Sequence, residues 1–113
     1  MGTVNEQTTP EEWKDTWESS MNSPILVFKH STSCMISARA FKHVKAFFQT
    51  SGEDKIGCYM VKVIESRRLS HQIANDTNIP HKSPQILLIN KQQIVWNASH
   101  WKITEDRIRK AVI

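Results

Sequence analysis

Ile25-Leu-Val-Phe-Lys-His-Ser-Thr-Ser-Cys34-Met-Ile-Ser37 is the stretch on which the fold turns. Its first four residues are an unbroken apolar run that follows the turn Asn22-Ser-Pro24, which predicts a strand covered on both faces, as in a parallel sheet. Beyond Cys34, Ala40, Phe41, Val44, Phe47 and Phe48 fall on one side of a helix, with Arg39, Lys42, Lys45 and Gln49 opposite. Cys34 therefore stands between a strand and the N-terminus of a helix, where free N–H groups and the dipole favour an anionic sulfur. The thiolate is the nucleophile. A thiol of ordinary pKa, near 8.5, is only about a tenth ionised at pH 7.5, and helix N-termini bring such groups into the ~3.5–7.5 range. Cys34 is the expected catalytic residue; the plainer alternative is a small side chain packed at a helix start.

The flanking segments extend the pattern. Thr9-Pro10-Glu11-Glu12 opens a helix with a capping box, and Trp13, Trp17 and Met21 recur on one of its faces. The helix after Cys34 is expected to run out at Thr50-Ser-Gly52, and residues 56–64 read as a second strand, rich in β-branched and aromatic side chains. Strand, helix and strand make a right-handed βαβ unit. Residues 66–78 read as a helix ended by Ile79-Pro80, residues 85–89 and 94–98 as a hairpin around Asn90-Lys-Gln-Gln93, and residues 104–113 as a closing helix. This order, with a reactive cysteine after the first apolar strand, resembles a thioredoxin-like domain: α/β, a mixed central sheet flanked by helices, one domain over residues 1–113. The resemblance implies a cis Ser83–Pro84 bond beside the nucleophile.

Composition narrows the function classes. The 113 residues include four Trp and four Phe, enough for one packed core. No apolar run approaches the ~20 residues of a membrane span. The start, Met1-Gly-Thr-Val-Asn-Glu-Gln, has no basic or apolar leader segment, and Gly2 lacks the serine or threonine of a myristoylation signal. The two cysteines, Cys34 and Cys58, form neither a disulfide framework nor a zinc pattern, so a reducing cytoplasm is expected, with no metal and no membrane partner. Fifteen basic against 11 acidic residues leave a net charge of +4, spread without runs. That pattern does not point to nucleic acid; it suits a small anionic thiol or an acidic protein surface.

His30-Ser-Thr-Ser-Cys-Met-Ile-Ser37, Ser83-Pro84-Gln85 and Val95-Trp-Asn-Ala-Ser-His-Trp101 together resemble the YtxJ family, the monothiol bacilliredoxins of low-GC Gram-positive bacteria. The resemblance covers nearly the whole chain. It implies a glutaredoxin-like thiol–disulfide oxidoreductase whose co-substrate is bacillithiol, a small acidic thiol, and whose partners are S-bacillithiolated or otherwise oxidised proteins. The family's usual motif is Thr-Cys-Pro-Ile-Ser; here Ser33 precedes the cysteine and Met35 takes the proline position. Met35 restores an N–H that proline would withhold.

Around the nucleophile, Ser37 completes a C-x-x-S spacing and fills the place of a resolving cysteine. A hydroxyl can hydrogen-bond a thiolate but cannot displace it from a mixed disulfide, so an external thiol must finish the cycle. Cys58, at the start of the second strand, is expected at the opposite end of a parallel pair from Cys34, as a buried structural thiol. His30 can act as imidazolium, as base or as a polar strand end bonded to backbone. Arg39, His81 and Lys82 are candidates to hold carboxylates, and His100 and Trp101 enter by family pattern alone. Ser83 and Pro84 complete the supporting site. Two other classes stay open: a thioredoxin-like module that binds partners without turnover, and a glutaredoxin-type enzyme that uses another small thiol.

Overall fold

A computed structural model describes residues 4–50 and 56–112. The helix end expected at Ser51-Gly52, the terminal Ile113 and Gly2 lie outside the described residues. In chain order the elements are β1 (Val4–Glu6), α1 (Pro10–Ser19), β2 (Ile25–His30), α2 (Met35–Thr50), β3 (Gly57–Lys62), α3 (Arg67–Thr77), β4 (Gln85–Asn90), β5 (Gln93–Ser99), a 3-10 turn η1 (His100–Lys102) and α4 (Glu105–Val112). The sheet runs β1-β3-β2-β4-β5, with β1, β3 and β2 parallel and β4 and β5 antiparallel to their neighbours.

β2 is central and buried at all six positions, as its apolar run requires. Alternation along it feeds two cores. Leu26 and Phe28 face α2 and α4, meeting Ala40, Val44, Phe47, Phe48 and Ile108. Ile25 and Val27 face α1 and α3, meeting Trp13, Leu69 and Ile73. The Trp13 indole N–H donates to Asp76 Oδ2 at 2.8 Å, which joins α1 to α3 and satisfies the one polar atom of that side chain.

Two local features depart from the sequence expectation, and a third, the hairpin turn, completes it. β1 is a three-residue edge strand with a single apolar side chain, and it exists through its register with β3, Val4 beside Cys58. Met21 does not share the inner face of Trp13 and Trp17: α1 stops at Ser19, and Met21 is 52% exposed. The stop is chemical, because the Ser19 and Ser20 hydroxyls donate back to Thr16 O and Trp17 O and compete with continued helix. The hairpin turn places both Lys91 and Gln92 at positive φ, 54° and 58°, the signature of a type I′ turn without glycine. Ser20 holds it, accepting from Lys91 N–H at its carbonyl, 2.7 Å, and from Gln92 N–H at its hydroxyl, 3.0 Å.

Candidate active site

The parallel strands put the C-terminal end of β2 at one end of the sheet, and three segments meet there. The first is the junction of β2 and α2. The Cys34 carbonyl accepts the first helical hydrogen bond, from Ala38 N–H at 3.0 Å, so Cys34 caps α2. The N–H groups of the first turn, Met35 to Ser37, have no acceptor within the helix. Cys34 is partly exposed, Ser33 is exposed, and Met35 is 89% exposed. Cys58 is fully buried and pairs in register with Leu26, near the other end of β2, so the thiols lie at opposite ends of the sheet. Burial pushes the Cys58 thiol pKa up, which leaves it uncharged and inert.

Ser37 is buried, and its hydroxyl is already engaged. It accepts from Ser31 N–H at 2.9 Å and sits 2.7 Å from His30 Nδ1. The hydroxyl and Nδ1 share one proton between them, from the hydroxyl or from the ring according to the tautomer. Burial, and then the nearby Lys62, lower the His30 pKa, so the neutral ring is the form held here. The ring also packs on Phe28 and Phe41, with centroids 5.5 and 5.0 Å away. His30 and Ser37 thus tie the end of β2 to the first turn of α2, and the hydroxyl that C-x-x-S spacing offers to the thiolate is directed at the histidine.

The second segment is the loop before β4, where the Ser83–Pro84 bond is cis. The antiparallel register sets Gln85 opposite Lys29, and so places Pro84 at the same sheet end as His30 and the cysteine loop. The third is η1. His100 adopts φ 56° and donates its N–H to Pro84 O at 3.1 Å, which docks η1 on the cis-proline. Next to it, Trp101 is 60% exposed and lies over the Arg39 guanidinium of α2, Cζ to ring centroid 5.1 Å. Arg39 Nη1 and Ser83 Oγ are both buried without a protein partner. A guanidinium beside an aromatic face suits the carboxylate of a small acidic molecule.

His81 and Lys82 are exposed, but they do not turn the same way. His81 directs Nδ1 inward, 3.3 Å from Lys29 Nζ and 3.3 Å from Ser70 Oγ. Lys29 was not anticipated from sequence as a site residue. It follows four apolar residues on a strand buried on both faces, and that placement was the signal available. No cluster of metal-ligating side chains occurs among the described residues.

This architecture, with a partly exposed cysteine capping α2 and a cis-proline opening β4, is the thioredoxin fold. Solved thioredoxins show it: one from Malassezia sympodialis, at 14% identity and TM-score 0.78, covers 99% of this chain and 90% of its own. Another, from Nicotiana alata, at 16% identity and TM-score 0.77, covers 98% and 90%. A structure described as a candidate oxidoreductase with a thioredoxin fold is nearer, at 29% identity and TM-score 0.86, covering 97% and 94%. The family model for the monothiol bacilliredoxin BrxC matches residues 5–108, and the chain belongs to that family. Family and fold together support a thiol redox function.

Proposed function

We propose that this protein is a monothiol oxidoreductase that removes bacillithiol from S-bacillithiolated proteins, with Cys34 as nucleophile. The observation that carries this reading is the asymmetry of the thiols: Cys34 caps a helix at the open end of the sheet, while Cys58 is fully buried on β3. The Cys34 thiolate attacks the bacillithiol sulfur of the protein mixed disulfide. The S–S bond breaks, the substrate protein leaves as a thiolate that takes a proton, and bacillithiol stays on Cys34. A second bacillithiol thiolate then attacks the bacillithiol sulfur of that adduct. It frees Cys34 and leaves bacillithiol disulfide, so two bacillithiols supply the two electrons.

Arg39 Nη1, Ser83 Oγ and the Trp101 face are the groups disposed to hold the acidic part of bacillithiol, with Lys82 and His100 at the rim. No helix among the described residues is long and apolar enough to cross a membrane, and a cytoplasm that keeps thiols reduced is the setting this cycle requires. The test is to incubate the reduced protein with bacillithiol disulfide and map adducts by peptide mass. One adduct on Cys34, released by reduced bacillithiol and formed more slowly with glutathione disulfide, is expected. No adduct on Cys34, or equal rates with both disulfides, would remove the bacillithiol assignment.

A further inference from the structure

The loop that carries the cis-proline is held at three points. Gln85 Nε2 donates to Pro80 O at 3.1 Å, and His100 N–H donates to Pro84 O at 3.1 Å. Between them, His81 is held from beneath the sheet by Lys29, whose Nζ donates to Ser70 O at 3.1 Å and lies 3.3 Å from His81 Nδ1. Lys29 is fully buried on the central strand, on the face opposite His30, and no carboxylate pairs with it among the described residues. An ammonium has donors only, so Nδ1 must accept, which requires a neutral His81 ring with its proton on Nε2. A buried cation kept beside an exposed loop, with its donors spent on that loop and on α3, has no evident use in packing. Methionine would fill the same space without the cost of burying charge.

We propose that Lys29 is a positioning residue for the thiol reaction: through His81 it latches the loop that presents Ser83 and cis-Pro84 at the Cys34 end of the sheet, and it does so only while His81 is neutral. The proposal rests on the monothiol reading above and adds a residue outside the contact site. Protonation of His81 fills Nδ1 and sets two cations face to face, which opens the latch. The charged or titratable groups around that ring are Lys29 from β2 and His71 from α3; the Ser70 hydroxyl is neutral, and so is Gln85 of β4, opposite Lys29. Burial first, then Lys29 and His71, lower the His81 pKa, so the latch is closed at neutral pH and opens in acid.

Two readouts on the intact protein test this. Amide hydrogen exchange of His100, whose N–H donates to Pro84 O of this loop, reports the latch without any reaction, and steady-state turnover of a bacillithiolated model protein reports its use. Lys29→Met should speed exchange of the His100 amide roughly tenfold or more, the loss of one charge-assisted hydrogen bond, and raise KM with a smaller change in kcat. Alkylation of Cys34 by iodoacetamide, which needs no loop, should stay within about twofold, since the bond lost is remote from the sulfur. His81→Asn keeps an acceptor near the Nδ1 position but cannot be protonated. It should retain slow exchange and remove the acid inflection of the wild-type exchange profile, whereas His81→Ala should match Lys29→Met. Unchanged exchange in Lys29→Met, or an acid inflection that persists in His81→Asn, overturns the latch. If exchange behaves as stated while no variant turns over a bacillithiolated substrate, the latch stands and the substrate assignment falls.

Discussion

Replacing Lys29 with Met should change how stability depends on pH. The side chain is fully buried, and burial lowers its pKa from 10.5 to about 8. Below pH 8 the ammonium is charged in both folded and unfolded chains, and the fold bears the full desolvation cost. Between pH 8 and 10.5 the unfolded chain holds a proton that the folded one has released, so stability rises with pH, at most by ~1.4 kcal/mol per unit. Above pH 10.5 the group is neutral in both states and the cost is gone. The whole window is worth about 3 kcal/mol, and about 2 kcal/mol of it falls between pH 7.5 and 10. Urea unfolding of both proteins across that range isolates this contribution, because His81, the neighbour that Lys29 shifts, is held below its ordinary 6.5 and the other titrations cancel in the difference. Wild type should gain about 2 kcal/mol relative to Lys29→Met as pH rises. A difference that stays flat within about 0.5 kcal/mol would mean that the lysine is solvated, and the buried cluster would have to be redrawn.

Cys58 is buried, so in a Cys34→Ser chain its alkylation must await unfolding, and it should be at least ~10³-fold slower than Cys34 in a Cys58→Ala chain. Labelling within tenfold by intact mass would contradict the burial. Ser37→Ala leaves Ser31 N–H and His30 Nδ1 without their shared partner and should cost about 1–3 kcal/mol in urea unfolding, whereas a neutral effect would mean that the clamp does not form. Met35 is the first residue of α2, where a missing N–H costs no helical bond. Met35→Pro should therefore stabilise the protein by about 0.4–1 kcal/mol in thermal melts, and a lower melting temperature would show that the first turn departs from helical φ.

The outline of the fold was legible because it rests on long periodic segments: the apolar run at β2, the α2 face from Ala40 to Phe48, and the hairpin. The place of Cys34 at the head of α2 followed from the same junction. What escaped reading depends on partners distant in sequence. β1 is set by its register with β3, and η1 by the bond from His100 to Pro84. The end of α1 hung on two serines whose hydroxyls bond backward, a choice that helical periodicity does not encode. Spacing alone makes Ser37 a neighbour of the thiolate, because its bonds to His30 and Ser31 form only once β2 and α2 are folded together. Lys29 is hidden from the sequence for a related reason: a charge at the end of an apolar strand looks solvated until α3 and the loop before β4 close over it.

The monothiol cycle is tested most directly by turnover of a purified S-bacillithiolated protein with bacillithiol as the only reductant, comparing Cys34→Ser with Cys58→Ala. Cys58 lies at the far end of the sheet and its removal leaves the site intact, so Cys58→Ala should retain turnover while Cys34→Ser has none. Loss of turnover in Cys58→Ala, with a stable Cys34 mixed disulfide accumulating, would make Cys58 the resolving thiol and contradict the monothiol mechanism.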